Sequence, residues 1–98
     1  MEDKYAKLKG YLNSEGQLTQ WASKKHRQKQ LLMLAYIAEH FDAQKTYTEL
    51  EVNAIINQWH TFGDHALLRR ELIDMHLMSR TTDGRVYKLV VGSDTADV

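Results

Sequence analysis

Apolar residues recur along this chain with more than one rhythm, and each rhythm predicts an element. Between residues 3 and 13, Tyr5, Leu8 and Leu12 fall on one side of a short helix. Asn13-Ser14-Glu15-Gly16 has the composition of a turn, and Gln17-Leu18-Thr19-Gln20-Trp21 then alternates polar and apolar as a short strand does. From a cap at Ser23 to about Phe41, Leu31, Leu34, Ala35, Ala38 and Phe41 keep the helical spacing of a buried stripe. Leu32, Tyr36 and Ile37 widen that stripe, which predicts the central helix.

Thr48-Glu49-Leu50-Glu51 has the form of a capping box, in which threonine and glutamate each satisfy a free backbone amide. The helix behind it should turn Val52, Ile55, Ile56 and Trp59 inward, with Tyr47 placed to staple its start. Asp64 should cap a further helix to about Met78, with Leu68, Leu72 and Met75 on its inner side. Asp83-Gly84 lies between two β-prone runs, residues 78–82 and 85–91, which predicts a hairpin with both turn residues at positive φ. The stretch from Gly92 to Val98 is small and acidic and should fray. This order predicts a mainly α domain with a small β-hairpin (α+β), of the winged helix-turn-helix type, with a core over about residues 3–91. The capped pair 48–59 and 64–78 would be the helix-turn-helix and the hairpin the wing.

Length and composition narrow the picture further. Ninety-eight residues support one core, hence one domain. With no cysteine, a disulfide scaffold and thiolate metal sites are excluded, and the chain fits a reducing compartment. Met1–Tyr5 lacks the apolar stretch of a signal peptide, and the run Leu31–Ala38 is far short of the roughly 20 residues that span a bilayer. A cytoplasmic protein without membrane association is the expectation. Thirteen basic residues balance thirteen acidic ones, which argues against a dedicated nucleic-acid binder. The basic residues are nevertheless clustered, at Lys24–Lys29 and at Arg69-Arg70.

Arg70 projects nearly opposite the Leu68/Leu72/Met75 stripe and Arg69 to its flank. On a recognition helix that outer face enters the major groove, where arginine pairs with guanine. The competing assignment is structural: an ion pair of Arg70 with Asp74, and of Arg69 with Asp42 or Glu51. Glu71 and Asp74 would also repel phosphate. Lys24, Lys25 and Arg27 either track phosphates or form a solvated first helical turn, where positive charge opposes the macrodipole. His65 on the same helix as Arg70, and Arg80, Arg85 and Lys88 on the hairpin, complete the candidate nucleic-acid set. The five histidines include no one-turn pair on a single helix, so no metal site is expected. Nucleophile elbow, phosphate loop and paired catalytic acids are all missing from the sequence, which reads as non-enzymatic and without a cofactor. Trp21, Trp59 and Tyr47 read as core or core-edge aromatics.

Three phrases resemble the bacterial domain-of-unknown-function family twenty eighty-seven. They are Gly16–Trp21 with the Lys24–Lys29 cluster, Tyr47–Asn53, and Asp64-His65-Ala66-Leu67-Leu68-Arg69-Arg70-Glu71-Leu72-Ile73-Asp74 running on through Arg80 to Tyr87. The resemblance spans roughly residues 8–88. It implies a winged-helix-like domain found alone or beside a DNA-binding regulator domain, and it brings no established activity. Two functions stay open: a transcription-regulator module that binds DNA, or a non-catalytic protein-interaction or effector-sensing module. The corresponding partners are DNA, a regulator protein, or a second copy in a homodimer.

Overall fold

The structure is a computed structural model that describes residues 4–90. Three α-helices carry the fold: α1 (Arg27–Ala38), α2 (Glu49–Gln58) and α3 (His65–Asp74). Strands β1 (Met78–Arg80) and β2 (Tyr87–Leu89) follow as an antiparallel hairpin, with Arg80 opposite Tyr87 and Met78 opposite Leu89. The domain is therefore mainly helical with a small hairpin, as expected. The fraying expected from Gly92 onward lies outside the described residues, as do the first residue of the predicted first helix and the last of the predicted last strand.

α2 and α3 each start at a side-chain cap. At α2 the capping box is complete: Thr48 Oγ1 accepts from Glu51 N, and Glu51 Oε1 accepts from Thr48 N at 2.8 Å. Val52 and Ile56 are fully buried, and Ile55 and Trp59 are half-buried beside them. Asp64 caps α3 by accepting from Leu67 N. The helix ends at Asp74, four residues before the predicted Met78, because His76 adopts φ +62°. Leu77 N then donates to Leu72 O and His76 N to Ile73 O, the paired bonds of a Schellman stop. Histidine occupies the left-handed position that usually takes glycine, so the sequence carries no stop signal there.

The structure corrects other expectations. The N-terminal helix is a 3₁₀ segment, Ala6–Tyr11, which includes the poor helix former Gly10 and buries Leu8. Ser23 makes no capping bond, and Lys24–His26 is a 3₁₀ turn before α1 begins at Arg27. Residues 17–21 form no strand. Leu18 makes single bridges instead, one to Leu12 and one to His60. Alternation specifies two faces, but a strand also needs an extended partner, and Leu18 meets only the end of the 3₁₀ segment and the turn after α2.

The hairpin turn also differs from the expected two-residue type. Gly84 has positive φ but Asp83 does not. Thr81 O accepts from Gly84 N at 2.9 Å, and Thr81 N donates to Val86 O at 3.0 Å, so residues 82–85 form the loop. Thr81 Oγ1 and Asp83 Oδ1 tie it with bonds to the backbone of Arg85 and Val86.

The largest correction concerns α1. Its buried residues are Gln30, Met33, Leu34 and Ile37, continued by Phe41, whereas Leu31 is 38% exposed. Leu34, Ile37 and Phe41 are buried as expected, but the inward face swings toward Gln30 and Met33 and away from Leu31, Ala35 and Ala38. Gln30 occupies the inner face because its amide donates to Ala22 O at 2.7 Å and its carbonyl accepts from Arg27 at 2.6 Å. Both stripes satisfy helical spacing, since apolar residues run without interruption from Leu31 through Leu34. Around α1 the core closes with Leu8 and Leu18 from the N-terminal segment, Leu68 and Leu72 from α3, and Met78 and Tyr87 from the hairpin.

Two long-range backbone connections lock the layers. Leu18 N donates to Trp59 O and Thr61 N to Leu18 O, so the N-terminal segment is stitched to the turn between α2 and α3. Tyr47 and Tyr87 exchange both backbone bonds at 2.8 Å, which adds the residue before the α2 cap to the hairpin edge.

Candidate nucleic-acid interface

The turn from α2 to α3 is organised by His60, a residue the sequence did not single out for any structural role. It is only 4% exposed. Asp64 N–H donates to His60 Nε2 at 3.0 Å, so Nδ1 carries the ring hydrogen and donates to Ile56 O at 2.9 Å. One ring thus joins the last turn of α2 to the cap of α3 and sets the angle at which α3 is presented. Leu68 and Leu72 fix the rotation of α3 by filling the core.

With that rotation set, the two adjacent arginines have different fates. Arg69 leans onto α2, donating to Asn53 Oδ1 and lying 3.9 Å from Glu49 Oε2. It does not reach the expected Asp42 or Glu51; it meets α2 instead at Glu49 and Asn53, two residues to either side of Glu51 and one turn from each other. Arg70 is exposed and makes no hydrogen bond or ion pair among the described residues, so the pair with Asp74 does not form. From the hairpin, Arg80 is likewise exposed and unpaired among the described residues. Arg69, Arg70 and Arg80 line one groove of about 220 Å³ between α3 and the hairpin, together with Glu49, Asp74 and Tyr87. Glu49 is already engaged there, by Arg69 and by the Tyr87 hydroxyl at 3.3 Å. Asp74 is left as the carboxylate opposing the two free guanidinium groups.

The rest of the predicted set does not converge on this groove. Arg85 is in the turn, 84% exposed in its side chain and 3.8 Å from Asp83. The Thr81 hydroxyl and the Arg85 amide hold the Asp83 carboxyl below the ordinary aspartate value. Lys88 pairs with Ser79 and, by strand alternation, faces the side of the hairpin opposite Arg80. His65 is half-buried at the first turn of α3. Arg27 is committed within the protein: it bonds Gln30, lies 3.4 Å from Glu71 and contacts the Met75 sulfur, which ties the start of α1 to the end of α3. Lys24 and Lys25 are exposed on the 3₁₀ turn, and Lys25 lines a separate hollow with Lys7 and Lys29. Among the described residues no three histidine, aspartate or glutamate side chains gather as a metal site. Nor is any described helix long and apolar enough to cross a membrane.

Residues 17–89 match the model of a family described as "Uncharacterized protein conserved in bacteria (DUF2087)". The chain belongs to this family. The match contains Leu18, His60, Arg69, Arg70, Arg80 and Tyr87, so both the stitched turn and the arginine groove lie within the family region. No curated protein and no solved structure matches the chain. Of the residues that shape the site, Asn53 and His60 carried no signal in the sequence, because each acts through a partner in another element.

Proposed function

We propose that this domain is a non-catalytic transcription-regulator module that binds DNA through α3 and the hairpin. The observation that carries the proposal is the pair Arg70 and Arg80: both are exposed, neither is ion-paired among the described residues, and they share one groove. Supporting it, a capped helix, a tight turn, a second capped helix and a hairpin follow in the order of a winged helix-turn-helix, and the Tyr47–Tyr87 bridge braces the hairpin against α2. Arg70 is the base-reading candidate. Arg80 and Arg85 are candidates for phosphate contact, whereas Arg69 and Arg27 act as positioning residues.

A balanced net charge makes weak binding the expectation, in a dimer or beside a second DNA-binding partner. The test is a titration with random-sequence duplex at about 50 mM salt, followed by selection from genomic fragments. Arg70→Ala should remove about 1–3 kcal/mol of sequence discrimination. Arg80→Ala should weaken all sequences alike and flatten the salt dependence by about one unit. Absence of binding at that salt, by monomer and by dimer, would sink the proposal. A protein-interaction module is the second reading, favoured by the Asp74 carboxylate, which lines the arginine groove without an ion pair among the described residues and repels a phosphate backbone.

A further inference from the structure

α1 has a second apolar face that the core does not use. Gln28, Leu31, Leu32 and Ala35 recur at helical spacing and, with Ala6 and Lys7 of the 3₁₀ segment, line an open groove of about 660 Å³. Leu31 is 38% exposed there, and Leu32 and Ala35 are half-buried. Toward the start of α1 the groove adjoins the hollow of Lys25 and Lys29, sharing Lys7, Gln28 and Leu32 with it.

The charged residues that line the groove and the adjoining hollow are basic. Residues 4–29 hold seven lysines and arginines against the single carboxylate of Glu15, although the chain as a whole is neutral. Lys4 is paired with Glu39 at one end of the groove. Among the described residues Lys7 and Lys25 face no carboxylate within ion-pair distance. Lys29 lies over the Tyr11 ring at 5.4 Å from its centroid. An apolar floor rewards burial of apolar surface, which a phosphate backbone does not bring. Cations flanking such a floor complement carboxylates flanking an apolar stripe. A second copy of this chain presenting the same face would bring lysine against lysine.

We propose that this groove docks an acidic amphipathic helix of a partner protein, whose apolar stripe lies on Leu31, Leu32 and Ala35 and whose carboxylates meet Lys7, Lys25 and Lys29. The probe is a labelled peptide of about 18 residues, with leucines at helical spacing and glutamates elsewhere, followed by fluorescence anisotropy with the full chain. Saturable binding is expected, at least about tenfold tighter than that of a peptide of the same composition in scrambled order. Leu31→Glu should weaken it by about tenfold or more, as should the double variant Lys7→Glu/Lys29→Glu. Replacing the peptide's glutamates by lysines should restore binding to that double variant while abolishing binding to the parent chain, which separates lost docking from lost folding. Equal affinity for the scrambled peptide, or unchanged affinity in Leu31→Glu, would overturn the proposal. So would displacement of the peptide by random duplex DNA together with wild-type DNA affinity in Leu31→Glu and weakened DNA affinity in Lys7→Glu/Lys29→Glu, since the face would then belong to phosphate.

Discussion

His60 shows what one side chain does when it both donates and accepts inside the protein. Its neutral ring satisfies the Ile56 carbonyl and the Asp64 amide at once, in a place where little water reaches. No aliphatic replacement bridges the two. His60→Ala should therefore cost about 1–3 kcal/mol in urea titrations, because the part-buried Asp64 amide loses its acceptor, whereas the Ile56 carbonyl keeps the Trp59 amide. A loss below about 0.5 kcal/mol, within the usual range for surface substitutions, would mean that water replaces the ring and the turn is held elsewhere. Arg69 and Arg70 make the complementary point. Adjacent and chemically identical, they differ in role because one step along a helix is about 100° of rotation, which places one against Asn53 and the other in solvent.

At the scale of the element, α1 is the informative case. A helix that is apolar around most of its circumference does not specify its own register. The bonds of Gln30 to Ala22 and Arg27 favour the observed one by giving the polar residue on the inner face its partners. Met33→Ala should cost about 2–5 kcal/mol, as for a buried methionine, and Leu31→Ala less than about 1 kcal/mol. The reverse order in chemical denaturation would restore the register predicted from spacing alone. α2 and α3 need no such arbitration, because each has a side-chain cap and a stripe confined to one side.

Across the whole molecule, stability depends on contacts between segments far apart in the chain. Gly16 is at φ +78°, and its carbonyl accepts from the Tyr36 hydroxyl at 2.6 Å. A Cβ there would lie 3.1 Å from that hydroxyl and 3.6 Å from the Trp59 ring, which itself stacks on His40. The N-terminal loop, α1 and the turn before α3 thus meet at one glycine. Gly16→Ala should cost about 1–3 kcal/mol, through strain at positive φ and displacement of Tyr36. Gly10→Ala, with open space around it and no positive φ, should be neutral or slightly stabilising in the same thermal melts. A neutral result at Gly16 would mean that this three-way junction does not hold the domain together. Charge is also arranged at this scale: a neutral chain has a basic N-terminal side and, between α3 and the hairpin, Arg70 and Arg80 unpaired among the described residues, and these are separate surfaces.

Local chemistry was legible in the sequence wherever a short stretch contains both partners of an interaction. The capping box at Thr48–Glu51, the cap at Asp64, the inner faces of α2 and α3, the existence of the hairpin and the outward direction of Arg70 all follow from residues within about one or two helical turns of each other. Tertiary structure decided whatever depends on a distant partner. Leu18 became a bridge to His60 rather than a strand residue, α3 stopped at a left-handed His76, and α1 turned Leu31 outward. Arg27 and Arg69 were spent on Glu71 and Asn53, while Arg80 joined Arg70. The reason is physical: spacing along a chain fixes which side chains share a face, but the free energy of a face depends on what the rest of the fold places against it.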